Sequence, residues 1–208
     1  MKIACLGWGS LIWKPGVLPL QQAWRRDGPA LPIDFVRQSE GGELAAVICP
    51  TAPVTPVMWT LIDTVSVACA RELLRLREKI PSAQPHCIGS VPAASRDVPF
   101  SATIARWATG QHLDGVVWTA LPPCFKGEIG RSPTPEEAVA YLRELPDDKR
   151  EHAELYLRSA PHFIKTALRD WIEEELRWVP NSASARELPL RQGAPWPATS
   201  RRRFPALR

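Results

Sequence analysis

Ile3-Ala4-Cys5-Leu6-Gly7-Trp8-Gly9-Ser10-Leu11-Ile12-Trp13 is the stretch on which the reading of the fold turns. It opens as an apolar run of strand character and breaks at Gly7. After Ser10 it resumes with large apolar residues. Glycines at a strand end permit positive φ and let a backbone come close to a ligand. Free N–H groups in such a turn form a small nest that holds a carboxylate or an oxyanion. A buried first strand followed by an ordinary turn accounts for the same residues.

Outward from this stretch, short apolar runs bounded by turn residues predict further strands at 31–38, 44–49, 57–63 and 115–121. Glu40-Gly41-Gly42-Glu43 reads as a hairpin turn between the second and third. Apolar period and capping residues predict helices near 65–79, 99–111, 134–145, 148–159 and 164–178. Asp63 or Thr64 can cap the first of them. Thr134-Pro135-Glu136-Glu137 combines a capping Thr, a proline at the first helical position and a capping-box glutamate. Residues 81–97 and 125–132 read as loops, 50–56 as a connector, and 21–27 as a covering loop with Trp24. The expected fold class is α+β: a mixed, barrel-like sheet from the first 63 residues plus 115–121, with helices packed around it.

A chain of 208 residues can bury a full core as one domain. Apolar content of 45% and charged content of 23% are ordinary for a globular protein. No apolar run reaches the length of a membrane span. The first residues lack the pattern of a secretory signal. Cys5, Cys49, Cys69, Cys87 and Cys124 show no Cys-x-x-Cys spacing, which favours reduced, buried thiols and a cytoplasmic location. His86-Cys87 is the adjacent His/Cys pair, a minor option for a catalytic thiol. The four histidines show no ligand spacing, so no metal site is expected. The net charge of +4 belongs to the end of the chain: residues 180–208 carry six arginines and one glutamate, leaving 1–179 at −1. The near-neutral body offers no broad basic face, so nucleic acid is not an expected partner.

Gly7-Trp8-Gly9-Ser10-Leu11-Ile12-Trp13-Lys14-Pro15-Gly16 resembles the signature of the gamma-glutamylcyclotransferase superfamily, especially its ChaC-like branch. That branch has Tyr where this chain has Trp8. An indole donates a hydrogen bond but accepts none, so it cannot replace a phenol as acceptor. Arg77-Glu78-Lys79 matches an Arg-Glu-Lys triplet of the same branch, in which the glutamate is the catalytic general acid/base. The glycine pair that follows the triplet there is replaced by Ile80-Pro81. Phe35-Val36-Arg37-Gln38-Ser39 resembles a third element, Phe-x-x-Arg-Ser. The three pieces cover roughly the first 80 residues.

Read without the resemblance, Glu78 is a solvated helix-end glutamate beside two cations, although a negative charge opposes the dipole at a helix C-terminus. Arg37 is able to pair bidentately with a substrate carboxylate, or to form a structural ion pair with Glu40 or Glu43. The resemblance implies a cofactor-independent cyclisation of a γ-glutamyl small molecule, releasing 5-oxoproline and an amine or amino acid. Glu78 is the catalytic residue it implies. Gly7, Trp8, Gly9, Ser10, Leu11 and Arg37 are the implied substrate-binding residues. The alternative is a binding or regulatory protein of the same fold without turnover.

Residues 180–208 carry five prolines, few large apolar side chains and no periodicity, so they are expected to add little stability. Trp196 and Phe204 are the exceptions able to dock. Ending the chain at Asn181 is therefore expected to leave the melting temperature nearly unchanged by calorimetry. A loss of several degrees reveals a packed segment instead.

Overall fold

A computed structural model of the chain describes residues 1–92 and 98–178. The basic tail at 180–208, with Trp196 and Phe204, lies outside the described residues. In chain order the strands are β1 (Ile3–Gly7), β2 (Ala30–Gln38), β3 (Leu44–Ile48), β4 (Val54–Pro56), β5 (Met58–Ile62), β6 (Ile88–Val91), β7 (Gly115–Thr119), β8 (Cys124–Phe125) and β9 (Glu128–Ile129). The helices are α1 (Val67–Arg77), α2 (Ser101–Gly110), α3 (Pro135–Arg143), α4 (Asp147–Ser159) and α5 (Ala167–Leu176).

The architecture is α+β, and the strands form two sheets rather than one barrel-like sheet. Neither sheet closes on itself. In the first, β1 lies between antiparallel β5 and parallel β7, and β6 pairs with the far side of β7. Both edges of β1 are thus taken, and β2 has no place beside it. The second sheet is built on β2, which pairs with β3 and β4 antiparallel and meets β8 at Arg37. The β2–β3 register shifts between Phe35 and Arg37, a bulge that re-aims the side chains beyond it.

Alternation along β1 divides the core in two. Ile3 and Cys5 face α1, packing with Ala70, Leu74 and Val117. Ala4 and Leu6 face the second sheet and α3–α5. A strand buried on both faces has to be apolar throughout, which is why this run has no polar residue.

Several expectations shift. The predicted loop at 81–97 contains β6, whose Gly89 lies against the Trp118 ring where no β-carbon would fit. The loop at 125–132 holds the short β8–β9 hairpin, and the connector at 50–56 holds β4. The 21–27 segment runs along β5, with Arg25 and Trp59 exchanging backbone hydrogen bonds. Ser66, not Asp63 or Thr64, caps α1 by accepting from the Cys69 amide. The helices otherwise end within three residues of the expected limits, and the capping box at Thr134 forms as read. The five cysteines are unpaired; Cys69 is exposed and Cys124 half-buried, against the expectation of uniform burial. Among the described residues no helix is long and apolar enough to cross a membrane.

One buried cation ties the helical layer together. Arg169 is 2% exposed. Its guanidinium donates to the carbonyls of Leu157, Ala160, Pro161 and Ile164 and to the Glu173 carboxylate. It also lies over the Phe35 ring. Leu157 and Ala160 lie at the C-terminal end of α4, and Pro161 and Ile164 in the segment that follows, so these bonds tie the helix end to the chain beyond it. Arg169→Met strands these carbonyls and the Glu173 charge. The expected loss is about 3–5 kcal/mol, read from the urea midpoint.

Candidate active site

The turn after β1 is closed by two bonds. The Ile12 amide donates to the Gly9 carbonyl at 3.0 Å, and the Lys14 amide to the Ser10 carbonyl at 2.8 Å. The amides of Gly9, Ser10 and Leu11 donate to no protein acceptor among the described residues. Three neighbouring backbone donors are therefore open, as a nest requires. Neither Gly7 nor Gly9 has positive φ, contrary to one use expected of them. Their role is close approach. A β-carbon on Gly7 would lie 2.7 Å from the Trp24 ring, and one on Gly9 would lie 2.6 Å from the Tyr156 hydroxyl.

Glu78 arrives from the other side. α1 ends at Arg77, and Glu78 is its C-cap residue. Lys79 follows with φ of 55°. The Lys79 amide donates to the Leu76 carbonyl and the Ile80 amide to the Arg75 carbonyl. This is the Schellman pattern, in which a left-handed residue reverses the chain. Lys79 takes the conformation that glycine usually supplies, and buried Ile80 anchors the exit.

Arg77 joins the two pieces. Nη1 donates to Glu78 Oε1 at 2.8 Å, Nη2 to Ser10 Oγ at 3.0 Å, and Nη2 and Nε to the Lys14 carbonyl at 2.7 and 3.2 Å. The Arg77 and Glu78 side chains are 11% and 17% exposed. Burial raises the Glu78 pKa above its ordinary value, while Arg77 and the Thr119 hydroxyl pull it back. Thr119 Oγ1 is buried and makes no hydrogen bond of full geometry. The balance is a carboxyl with raised proton affinity.

A cavity of about 530 Å³ lies between these elements. Trp8, Gly9, Ser10, Leu11, Arg37 and Glu78 all line it. Gly7 does not; Trp24 covers it. The Trp8 indole donates to the Ala46 carbonyl at 3.0 Å, and so spends its single donor on β3. Arg37 donates through Nη1 to the Pro122 carbonyl at 2.7 Å instead of pairing with Glu40 or Glu43. His86 and Cys87 lie outside the cavity lining, and burial raises the Cys87 pKa, which keeps the thiol protonated. Among the described residues no three His, Cys, Asp or Glu side chains gather as a metal site would need.

The sequence reading missed part of the wall. Tyr156 of α4 places its hydroxyl beside Gly9, where it accepts from the Ala46 amide at 3.1 Å. Its ring meets Trp13 edge-on. Burial raises the phenol pKa, so it stays neutral. The spacing of Ala153, Tyr156, Leu157 and Ala160 marks the inward face of α4 and was the available signal. Thr119, Glu43 and His152 also line the cavity. No family model, curated protein or solved structure matches the chain.

The raised pKa makes a prediction independent of any substrate. Above the ordinary value of 4.5, the unfolded chain has lost a proton that the native carboxyl still holds. Stability therefore falls as pH rises through the interval up to the folded pKa. Glu78→Gln removes that loss. Its urea midpoint relative to the parent is expected to rise as pH is raised through and above the ordinary value of 4.5. An unchanged difference shows that Glu78 does not carry the raised pKa.

Proposed function

We propose that the chain is a gamma-glutamylcyclotransferase-like enzyme, cyclising a γ-glutamyl small molecule to 5-oxoproline with release of an amine or amino acid. The observation that carries this reading is the joint placement of Glu78 and the Gly9-Ser10-Leu11 turn on one cavity, linked through Arg77. An acid/base carboxyl and a cradle of open backbone donors are the two parts this reaction needs. The α+β arrangement is taken as the cyclotransferase-like fold on the same resemblance. The unpaired cysteines suit a reducing cytoplasm.

The chemistry follows from those parts. The substrate's α-carboxylate is held by the amides of Gly9, Ser10 and Leu11, with Arg37 as a second cationic contact. This fixes the α-amine against the γ-carbonyl, so that ring closure draws on proximity. The amine nitrogen bonds to the carbon of that carbonyl, closing a five-membered ring, and the bond from the same carbon to the departing nitrogen breaks. Glu78 takes the proton from the attacking nitrogen and delivers it to the leaving one. The step is redox-neutral and consumes no cofactor. Raised proton affinity makes Glu78 a better base, and Arg77 opposes the rise.

The binding-only reading rests on Trp8, whose indole is turned to Ala46 and offers the cavity no hydroxyl. Tyr156 weighs against it, because it brings a neutral phenol to the same turn from α4.

A screen of γ-glutamyl compounds for 5-oxoproline release tests the proposal. With a compound that is turned over, Glu78→Gln is expected to lower kcat by about 100- to 10,000-fold while the compound still binds. Ser10→Ala is expected to raise KM more than it lowers kcat. Near-native turnover by Glu78→Gln removes the general-base role. No release from any compound by the parent moves the binding reading to first place.

A further inference from the structure

The cavity has a second anionic wall that the chemistry at Glu78 leaves unused. The turn joining β2 and β3 lays Ser39, Glu40, Gly41 and Glu43 along it, with His152 of α4 on the adjoining side. Glu43 has a side chain only 15% exposed. Its Oε2 is buried and without a hydrogen bond, and so is Ser39 Oγ in the same turn. His152 Nε2 is 3.4 Å from Oε2, on a ring 44% exposed, and this contact is long for a hydrogen bond.

The arginines around the cavity are committed elsewhere, and Lys14 and Lys79, which also line it, make no ion pair with Glu43. Arg77 serves Glu78, Ser10 and Lys14; Arg37 serves Pro122; Lys149 reaches the Glu40 carbonyl. Among the described residues no lysine or arginine pairs with Glu43. A largely buried carboxylate with open lone pairs is costly unless a partner completes it. Gly41 leaves room for it, since a β-carbon there would sit 2.5 Å from Oε2. Glu43, Glu78 and Tyr156 all line this one cavity. A cavity of this volume is large enough for both halves of a γ-glutamyl amide.

We infer that Glu43 is the receptor for a cationic leaving half: the γ-glutamyl compound that this site prefers carries an ammonium group on the amine that departs. This rests on the cyclotransferase reading. The γ-glutamyl half lies at the Gly9–Leu11 turn and Glu78, and the far ammonium meets the Glu43 carboxylate where it lines the cavity. The ammonium is a spectator to the chemistry. It sets which amide is bound.

Two compounds test it: the γ-glutamyl monoamides of cadaverine and of hexylamine, which differ by a terminal ammonium in place of a methyl group. Calorimetry on the full-length Glu78→Gln protein reads binding without turnover. The cadaverine amide is expected to bind about 10- to 100-fold tighter, the range of a hydrogen bond to a charged group. Adding Glu43→Gln is expected to erase that preference and leave the hexylamine amide unchanged. Adding Glu43→Asp, which keeps the charge, is expected to retain part of it, separating lost charge from lost folding. Equal binding of the two amides, no binding of either, or a preference that survives Glu43→Gln overturns the inference. If the preference holds but the parent releases no 5-oxoproline from either amide, cyclisation is the reading that fails and Glu43 stands as a cation receptor.

Discussion

The arginine at the end of α1 is the contact on which the site depends. Arg77 touches a carboxylate, a hydroxyl and a carbonyl that belong to two separate segments. Without it, nothing else described holds the end of α1 to the turn after β1 by a polar bond. It also resolves an electrostatic conflict. Burial, the helix dipole and a C-cap position all oppose a negative charge on Glu78. One adjacent cation offsets part of that opposition, and the remainder appears as raised proton affinity. Structure and chemistry thus draw on the same bond: a fully neutralised Glu78 would be a weak base, and an unpaired one would be hard to bury.

The distances across the cavity are set from further away. The Gly9 side is fixed by β1, which is hydrogen-bonded on both edges. The opposite wall is α4, which brings Tyr156 and His152. Arg169 holds the end of α4 through the carbonyls of Leu157 and Ala160 while lying over Phe35 of β2. Gly9 then has to be glycine, because the Tyr156 hydroxyl stands where its side chain would begin. The trade is close contact in return for a phenol at the turn, and it works only if both walls are rigid.

Much of this was legible in the sequence, and the failures have physical causes. Strands whose both faces are apolar, such as 115–119, announce themselves by composition. Thr134 to Glu137 announces a helix start through side-chain chemistry that needs no tertiary partner. β6 was missed because it is four residues long and Gly89 and Ser90 interrupt its apolar pair, Ile88 and Val91, so that its pairing with β7 is what marks it as a strand. The two-sheet arrangement was missed because strand pairing depends on which edges are already occupied, and periodicity does not encode that. In the site, motif residues were readable because they lie in continuous stretches. Tyr156, Thr119 and Glu43 come from separate elements, and only folding brings them to one cavity.

The difference between the two acids of the cavity follows from local backbone. Glu78 is held at a helix end by an arginine one residue away, so its charge is answered within the protein. Glu43 sits on a tight turn where Gly42 takes a φ of 94°. A left-handed turn residue fixes the direction of the side chains beside it. The turn aims Glu43 inward, and its neighbours in sequence, Gly42 and Leu44, carry no charge that could answer it. A carboxylate answered internally is suited to exchanging a proton, since its partner steadies both of its states. One whose ionic neighbour is a histidine 3.4 Å away keeps an unanswered charge when that ring is neutral, and is then suited to holding a cation that arrives from outside. Two residues of the same type thus meet one cavity in different electrostatic settings, Glu78 beside an arginine and Glu43 beside a histidine that answers its charge only when protonated.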